Sequence, residues 1–441
     1  MKKYIFIVSL LCLLTACTGK RQGEAAAEVA ALPAVEDVVM YQVNPRVFAP
    51  EKSFKAVERR LDSIQALGIN VVWFMPINEV GQEKSVNSPY CVKDYKGVNP
   101  EFGTLDEFKA LVATCHQKGM NVIIDWVANH TSWDNAWIAN KEWYTKDEAG
   151  NIIFPAGTGW KDVADLNFDN QEMRLAMIDA MKFWVIEIGI DGFRCDAADF
   201  VPFDFWKQAL DSLRAIPERS LLMLAEGKRR DHFDAGFDMN YSWDFLETLR
   251  DVFIKDAPAL ELFATDKAEY DTIPVGKVKL RFTTNHDESA KMSPTKEFGD
   301  VRGSMAAFVL TTYLHGGALI YGSQEAGYPE AINFFTYVPV DWTGNSELYQ
   351  EYCRLMALYN EYPAIRKGGL KTYPQPDVLL FEKQDSKDRV LVAVNVRNRE
   401  VNVTLPQEWN GHPSKDMYSG TEEKLEAELS LCPYQYRIFK Y

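Results

Sequence analysis

The stretch Ile188–Ala197, IGIDGFRCDA, decides how the chain is read. A short apolar run ends in Arg194 and Asp196, two residues apart. In a strand, residues i and i+2 face the same side, so the guanidinium and the carboxylate look into one space. An adjacent cation favours the ionised carboxylate, the form that a nucleophile needs. One Arg/Asp pair is weak evidence, because many such pairs only hold a fold together. Its weight grows because three other strand-like runs also end in polar residues: NVIIDWVANH (Asn121–His130), LLMLAE (Leu221–Glu226) and VKLRFTTNHD (Val278–Asp287).

Outward from this stretch a unit repeats. Val38–Val43 reads as a strand, and Ser53 reads as the cap of a helix with apolar positions Phe54, Val57, Leu61 and Ile64, stopped by Gly68. The strand INVVWFMP follows at once. Thr104 and Glu107 then form a capping box for a helix carrying Leu105, Phe108, Val112 and Cys115, which ends at Gly119. That helix leads into NVIIDWV. A third helix, from about Gln171 to Ile188, ends at Gly189 and feeds IDGFRCDA, and the run GALIYGSQE continues the series later. Strands that are apolar on both sides, alternating with amphipathic helices, predict a parallel sheet covered by helices. The number of units favours a closed (β/α)8 TIM barrel. No Gly-rich phosphate loop follows the first strand, which counts against a dinucleotide-binding sheet. Catalytic groups of such barrels sit at the C-terminal strand ends, where the polar clusters fall.

Two segments break the alternation. A Trp-, Gly- and Asn-rich stretch at about residues 131–168 is too long for an ordinary loop and reads as a small subdomain inserted after strand 3. From 374 to 441 the runs VLLFEK, RVLVAVNVR and VNVTL alternate as strands, giving a C-terminal all-β sandwich domain. The barrel is assigned residues 37–373. At the N-terminus, Lys2-Lys3 precede the apolar run Tyr4–Leu14, which ends in Leu14-Thr15-Ala16-Cys17. The expectation is a lipoprotein signal peptide over 1–16, lipidation of Cys17 and a tether over 17–36. That places the protein in the cell envelope, lipid-anchored at the outer membrane or a periplasmic face.

With 441 residues, 47% of them apolar, the chain can bury a large core. A formal charge of −15, with no basic stripe, argues against a nucleic-acid partner. Beyond Cys17 the cysteines are Cys91, Cys115, Cys195, Cys353 and Cys432, at spacings that support neither a disulfide framework nor a zinc site.

The chemistry lies in carboxylates at four strand ends: Asp125, Asp196, Glu226 and Asp287. Glu226 ends a strongly apolar run, a setting suited to a proton-donating acid. Two carboxyl groups in different surroundings are what glycoside hydrolysis needs: one protonates the leaving oxygen, the other attacks or activates water. Asp125 reads equally well as a residue that only holds a loop.

Here the chain resembles the α-amylase family of glycoside hydrolases (family 13), over nearly all of its mature length. DWVANH, GFRCDA, the Glu226 strand and FTTNHD match the family's four motifs in order. DLN (Asp165–Asn167) matches the short motif of its inserted subdomain, and SPYCVKDYKGVNPEFGT (Ser88–Thr104) its loop after the second strand. The resemblance implies Asp196 as nucleophile, Glu226 as acid/base and Asp287 as the third carboxylate, which holds sugar hydroxyls. Arg194 would orient Asp196, His130 and His286 would hydrogen-bond the sugar, Tyr90 would stack on it, and Asp125 joins the substrate-binding set. The family is retaining, so the two carboxyl groups should lie about 5–5.5 Å apart. Trp133, Trp137, Trp143 and Trp160 are further candidates near the cleft.

The resemblance departs in two places. Many starch-degrading members carry Lys-His at the third and fourth positions after the nucleophile, where this chain has Asp199 and Phe200. That removes a leaving-group contact and one contributor to the usual calcium site. Asn129 and Asn167 remain as donors for a structural calcium, and no other cofactor is required. The segment GKRRDHFDAGFDMNYSW after Glu226 is unlike a standard amylase. The expected partner is an α-glucan or maltooligosaccharide, cleaved at α-1,4 bonds. The alternatives are a cyclomaltodextrinase or neopullulanase type, a transglycosylating, phosphorolytic or sucrose-directed enzyme, or an inactive glucan-binding envelope protein. Retention of all three carboxylates counts against the last.

Overall fold

The structure, a computed structural model, describes residues 31–441; the signal, Cys17 and most of the tether lie outside the described residues. Eight parallel strands close into a barrel: β1 Val39–Val43, β2 Val71–Phe74, β3 Asn121–Trp126, β4 Gly192–Cys195, β5 Leu222–Ala225, β6 Met239–Tyr241, β7 Val278–Arg281 and β8 Gly317–Tyr321. Each pairs with its sequence neighbours, and β1 closes the ring against β8. Every residue of these strands is buried, because one face fills the barrel and the other lies under the helices. Seven strands are the apolar runs read above. β6 is the eighth, lying within the segment after Glu226, and three residues are too few to carry a period.

The pairing sets the height of the site. Asp125 is in register with Arg194, and Arg194 with Leu224. The Asp196 N–H donates to the Trp126 carbonyl and the Glu226 N–H to the Cys195 carbonyl, both at 2.9 Å, so each carboxylate stands one residue beyond its strand. Gly192 makes the crowding at β4 tolerable. At φ +152° a Cβ there would stand 1.9 Å from the Leu222 carbonyl oxygen.

The capping box forms: Thr104 Oγ1 accepts from the Glu107 N–H, and Glu107 Oε2 accepts from the Thr104 N–H. The helix over Gln171–Phe183 runs on as a wide turn to Ile188 and stops at Gly189, φ +86°. The first helix differs from expectation. It divides into Ser53–Glu58 and Leu61–Ala66 at Arg60, whose backbone (φ −102°, ψ 0°) is not helical. Lys52 occupies the cap position, and the Ser53 hydroxyl instead donates back to the Ala49 carbonyl at 3.1 Å.

Strands His130–Ser132 and Val163–Asp165 pair within the insertion after β3. The C-terminal antiparallel sheet opens at Gly369, ahead of the boundary read at 374, because Gly369–Tyr373 pairs with Val378–Gln384. Its alternation divides two cores. Leu379, Phe381, Val390 and Val392 join the barrel's core, while Val378, Leu380, Leu391 and Ala393 pack with Trp409 inside the domain. Arg397 ties the units together, donating to the Val252 and Ala257 carbonyls at 2.5 and 2.7 Å. All five cysteines of the described residues are free, three of them buried. Among the described residues no helix is long and apolar enough to cross a membrane.

Candidate active site

The carboxylates converge on one arginine at the C-terminal mouth of the barrel. Arg194 Nη1 lies 2.6 Å from Asp125 Oδ1 and 2.9 Å from Asp196 Oδ1, and Nη2 lies 2.9 Å from Glu226 Oε2. The first two contacts are hydrogen bonds; the third has the distance but not the direction of one. Tyr241, on β6, donates no charge here but accepts from Arg194 Nε at 3.2 Å. Asp125 and Arg194 are wholly buried beneath the cleft floor, with side chains 0% exposed. Asp196, Glu226 and Asp287 line the cleft itself, with side-chain exposures of 12%, 17% and 38%.

Ala197, next to the nucleophile candidate, holds a left-handed backbone (φ 43°, ψ 41°), which a non-glycine residue adopts only at a cost. That turn aims its N–H at Glu226 Oε2, 2.7 Å away. Glu226 Oε1 has no protein partner among the described residues.

One guanidinium thus faces a cluster of carboxyl groups. Burial pushes Asp125 up to about 7, opposed by Arg194 and reinforced by Glu226. Burial also raises Asp196 well above the usual carboxylate range; Arg194 pulls it down, while Glu226, Asp125 and Asp287 push it up. Asp287 is raised by burial too. The cluster therefore retains a proton near neutral pH.

A relay runs beneath this layer. His286 Nδ1 lies 2.8 Å from Gln42 Nε2, and His286 Nε2 lies 2.6 Å from the Tyr90 hydroxyl, which donates to Asp125 Oδ2 at 3.2 Å. The network assigns the proton of neutral His286 to Nε2. Burial holds His130 down to about 4, and burial with Arg194 holds His286 down to about 3. Unfolded histidine titrates near 6.5. Between these values the folded state binds fewer protons, so the stability contributed by the neutral rings is present above about pH 6.5 and lost as pH falls toward 4 and then 3. In imidazole NMR neither ring should titrate between pH 8 and 5; a midpoint near 6.5 for either would contradict this.

The cleft holds about 550 Å³ and takes in Tyr90, His130 and His286 with Asp196, Glu226 and Asp287, and Asp162 and Asp199 also line it. The Tyr90 ring stacks on His286 with centroids 5.4 Å apart, and Phe334 meets both edge-on. Of the four tryptophans, only Trp160 lines the cleft, between His130 and Phe200. Trp137 packs on Tyr95 and Trp143, and Trp133 lies under the Lys84 ammonium. Trp243, Phe334 and Phe335 also line it and were not singled out from sequence. Trp243 directly follows β6, and the two phenylalanines lie on a loop without periodicity.

A larger groove of about 810 Å³ lies elsewhere, at the seam of barrel and C-terminal domain. Within it the Tyr418 and Tyr436 hydroxyls both rest on Glu351, and Arg437 pairs with Asp416. The smaller cleft is the candidate site, because Asp196, Glu226 and Asp287 line it together.

Calcium takes six to eight oxygen ligands. Asn129 Nδ2 lies 3.3 Å from His130 Nδ1, while Asn167 accepts from the Asp169 N–H at 3.1 Å and donates to the Glu142 carbonyl at 3.3 Å. Among the described residues no group of three or more His, Cys, Asp and Glu side chains could hold a metal ion. That is a thin donor set for calcium.

A closed parallel barrel with paired carboxylates at its C-terminal mouth defines the class: a barrel built for glycosidic-bond chemistry. Residues 53–344 match the family model "Alpha amylase, catalytic domain", and residues 370–438 match "Maltogenic Amylase, C-terminal domain". The chain belongs to the α-amylase family of glycoside hydrolases. It is similar to α-amylase MalA of Haloarcula japonica, 26% identical over 410 residues, covering 87% of this chain and 58% of that protein. It is 25% identical to a cyclomaltodextrinase of Geobacillus thermopakistaniensis, covering 92% of this chain and 77% of that protein. Among solved structures, the maltogenic α-amylase AmyB of Thermotoga neapolitana is 26% identical with a TM-score of 0.82, covering 93% of this chain and 99% of that one.

Proposed function

We propose that this protein hydrolyses α-1,4-glucosidic bonds of starch-type glucans or maltooligosaccharides with retention of configuration, through a covalent glycosyl–Asp196 intermediate. One observation carries the reading: Asp196 and Glu226 leave adjacent strands and meet the two terminal nitrogens of one guanidinium, each at 2.9 Å.

In the first step the Asp196 carboxylate attacks the anomeric carbon. The glycosidic C–O bond breaks, and its electron pair takes the proton carried by Glu226. Arg194, 2.9 Å from Asp196 Oδ1, favours the ionised form of the attacking carboxylate. In the second step Glu226 removes a proton from water, which attacks the anomeric carbon and releases Asp196. Asp287 binds sugar hydroxyls, neutral His130 and His286 hydrogen-bond the same ring, and Tyr90 stacks on it. Arg194 and Asp125 lie beneath the floor and position the others.

A second reading, a cyclomaltodextrinase- or neopullulanase-type enzyme or a transglycosylating one, draws on the match to a maltogenic amylase C-terminal domain and on the aromatic wall of Trp160 and Phe200. Chromatography of products from starch, maltoheptaose, pullulan and cyclodextrin separates the two, using protein lacking residues 1–17 beside a Glu226→Gln control. Mixed maltooligosaccharides from starch, absent in the control, are expected. Preference for cyclodextrin or pullulan would favour the second reading, and binding without product would leave a glucan-binding protein. We propose further that Cys17 anchors the enzyme by lipid in the envelope; Cys17→Ser should then move it from the detergent phase to the aqueous phase.

A further inference from the structure

We propose that Asp199 is a positioning residue for the acid/base, its carboxylate clamping the loop that continues from Glu226; the proposal rests on Glu226 being the acid. The backbone before Glu226 is held by the barrel. After it, Asp199 Oδ2 accepts from the Lys228 N–H at 3.1 Å and Oδ1 from the Arg229 N–H at 3.3 Å. Two successive N–H groups turned toward one carboxylate form an anion-binding concavity. The Arg229 side chain reaches back to the Asp199 carbonyl at 3.1 Å, with its guanidinium fixed by Asp231 at 2.7 Å. On the opposite side, Asn240 Nδ2 donates to the Arg229 carbonyl at 3.3 Å, and the Tyr241 N–H to the Gly227 carbonyl at 3.2 Å.

The approach is close enough to need a glycine. A Cβ on Gly227 would stand 2.3 Å from Asp199 Oδ1 and 2.7 Å from the ring of buried His232, itself 3.2 Å from the same oxygen. A lysine at position 199, the residue many starch-degrading relatives carry there, has no acceptor to offer these N–H groups. The departure from the family pattern at Asp199 and the unusual segment after Glu226 are therefore two halves of one contact.

The test is a series of aryl α-maltosides of equal size, whose phenol leaving groups run from nitrophenol to unsubstituted phenol. The kcat/KM reports the first step, and a good acid makes it insensitive to the leaving group. In Asp199→Ala the plot should steepen: little loss with nitrophenol, and a loss on the order of 10²-fold with phenol, as a misplaced catalytic group gives. Asp199→Asn, which keeps one carbonyl acceptor, should fall between, and Gly227→Ala should steepen like Asp199→Ala. An unchanged plot, or a uniform drop parallel to the original as a folding defect or a lost sugar contact would give, overturns the clamp. Glu226→Ala should be the steepest of all. If that line alone steepens, the clamp fails and the acid assignment stands; if it runs parallel, the acid assignment fails and the clamp with it.

Discussion

Replacing Asp196 with alanine should lower kcat/KM on maltooligosaccharides by at least about 10⁴-fold, the scale on which removal of an activated nucleophile acts. The vacated space beside Arg194 is floored by a cation, so a small anion such as azide can enter it. Azide attacking from that side gives the β-glycosyl azide, inverted relative to the substrate. In Glu226→Ala the covalent intermediate still forms with a good leaving group, and azide then attacks from the opposite side to give the α-azide. The anomeric configuration of the two products, read by NMR, separates the roles of two carboxylates that share one guanidinium. The same anomer from both variants, or an inverted product from Glu226→Ala, would contradict the assignment.

The second large effect is on stability. Arg194→Met leaves Asp125 fully buried without its cation, and breaking such a pair costs about 3–5 kcal/mol. The sign with pH follows from the carboxyl. In the intact protein the folded-state value for Asp125 is about 7, above that of an unfolded aspartate, so the folded state binds more protons across that window. This group therefore subtracts stability as pH rises through it. Without Arg194 the carboxyl moves higher still, so both folded states hold this proton below about pH 7, and the deficit of the variant should be nearly constant there and grow as pH rises above 7. Urea unfolding of both proteins at pH 7 and 9 reads this directly. An equal deficit at the two values would mean that Arg194 acts through packing rather than charge.

What sequence could show follows from where the determinants lie. The barrel was legible because buried parallel strands are continuous apolar runs, and because Thr104–Glu107 and Gly189 mark helix ends locally. β6 was not, since Met239-Asn240-Tyr241 is short and half polar and is a strand only through pairing with β5 and β7. The carboxylates were legible because each sits at a strand end, where the barrel brings it to one mouth. Their electrostatics were not. The charge balance that raises Asp125 and Asp196 arises because Asp125, Glu226 and Asp287 come from three distant segments to meet Arg194 and its near neighbour Asp196, and no spacing encodes that meeting. Phe334 and Phe335 reach the cleft from a loop far along the chain, and Trp160 differs from Trp133 only in which way the insertion folds.

A covalent bond to one oxygen of Asp196 is visible to peptide mapping by mass spectrometry. With α-maltosyl fluoride, whose leaving group needs little acid assistance, Glu226→Gln should form the intermediate faster than it hydrolyses it. After an acid quench and digestion, one maltosyl unit is expected on the peptide containing Asp196 and on no other. A maltosyl group on a different residue, or turnover that releases the β-anomer with no labelled peptide, would contradict the account.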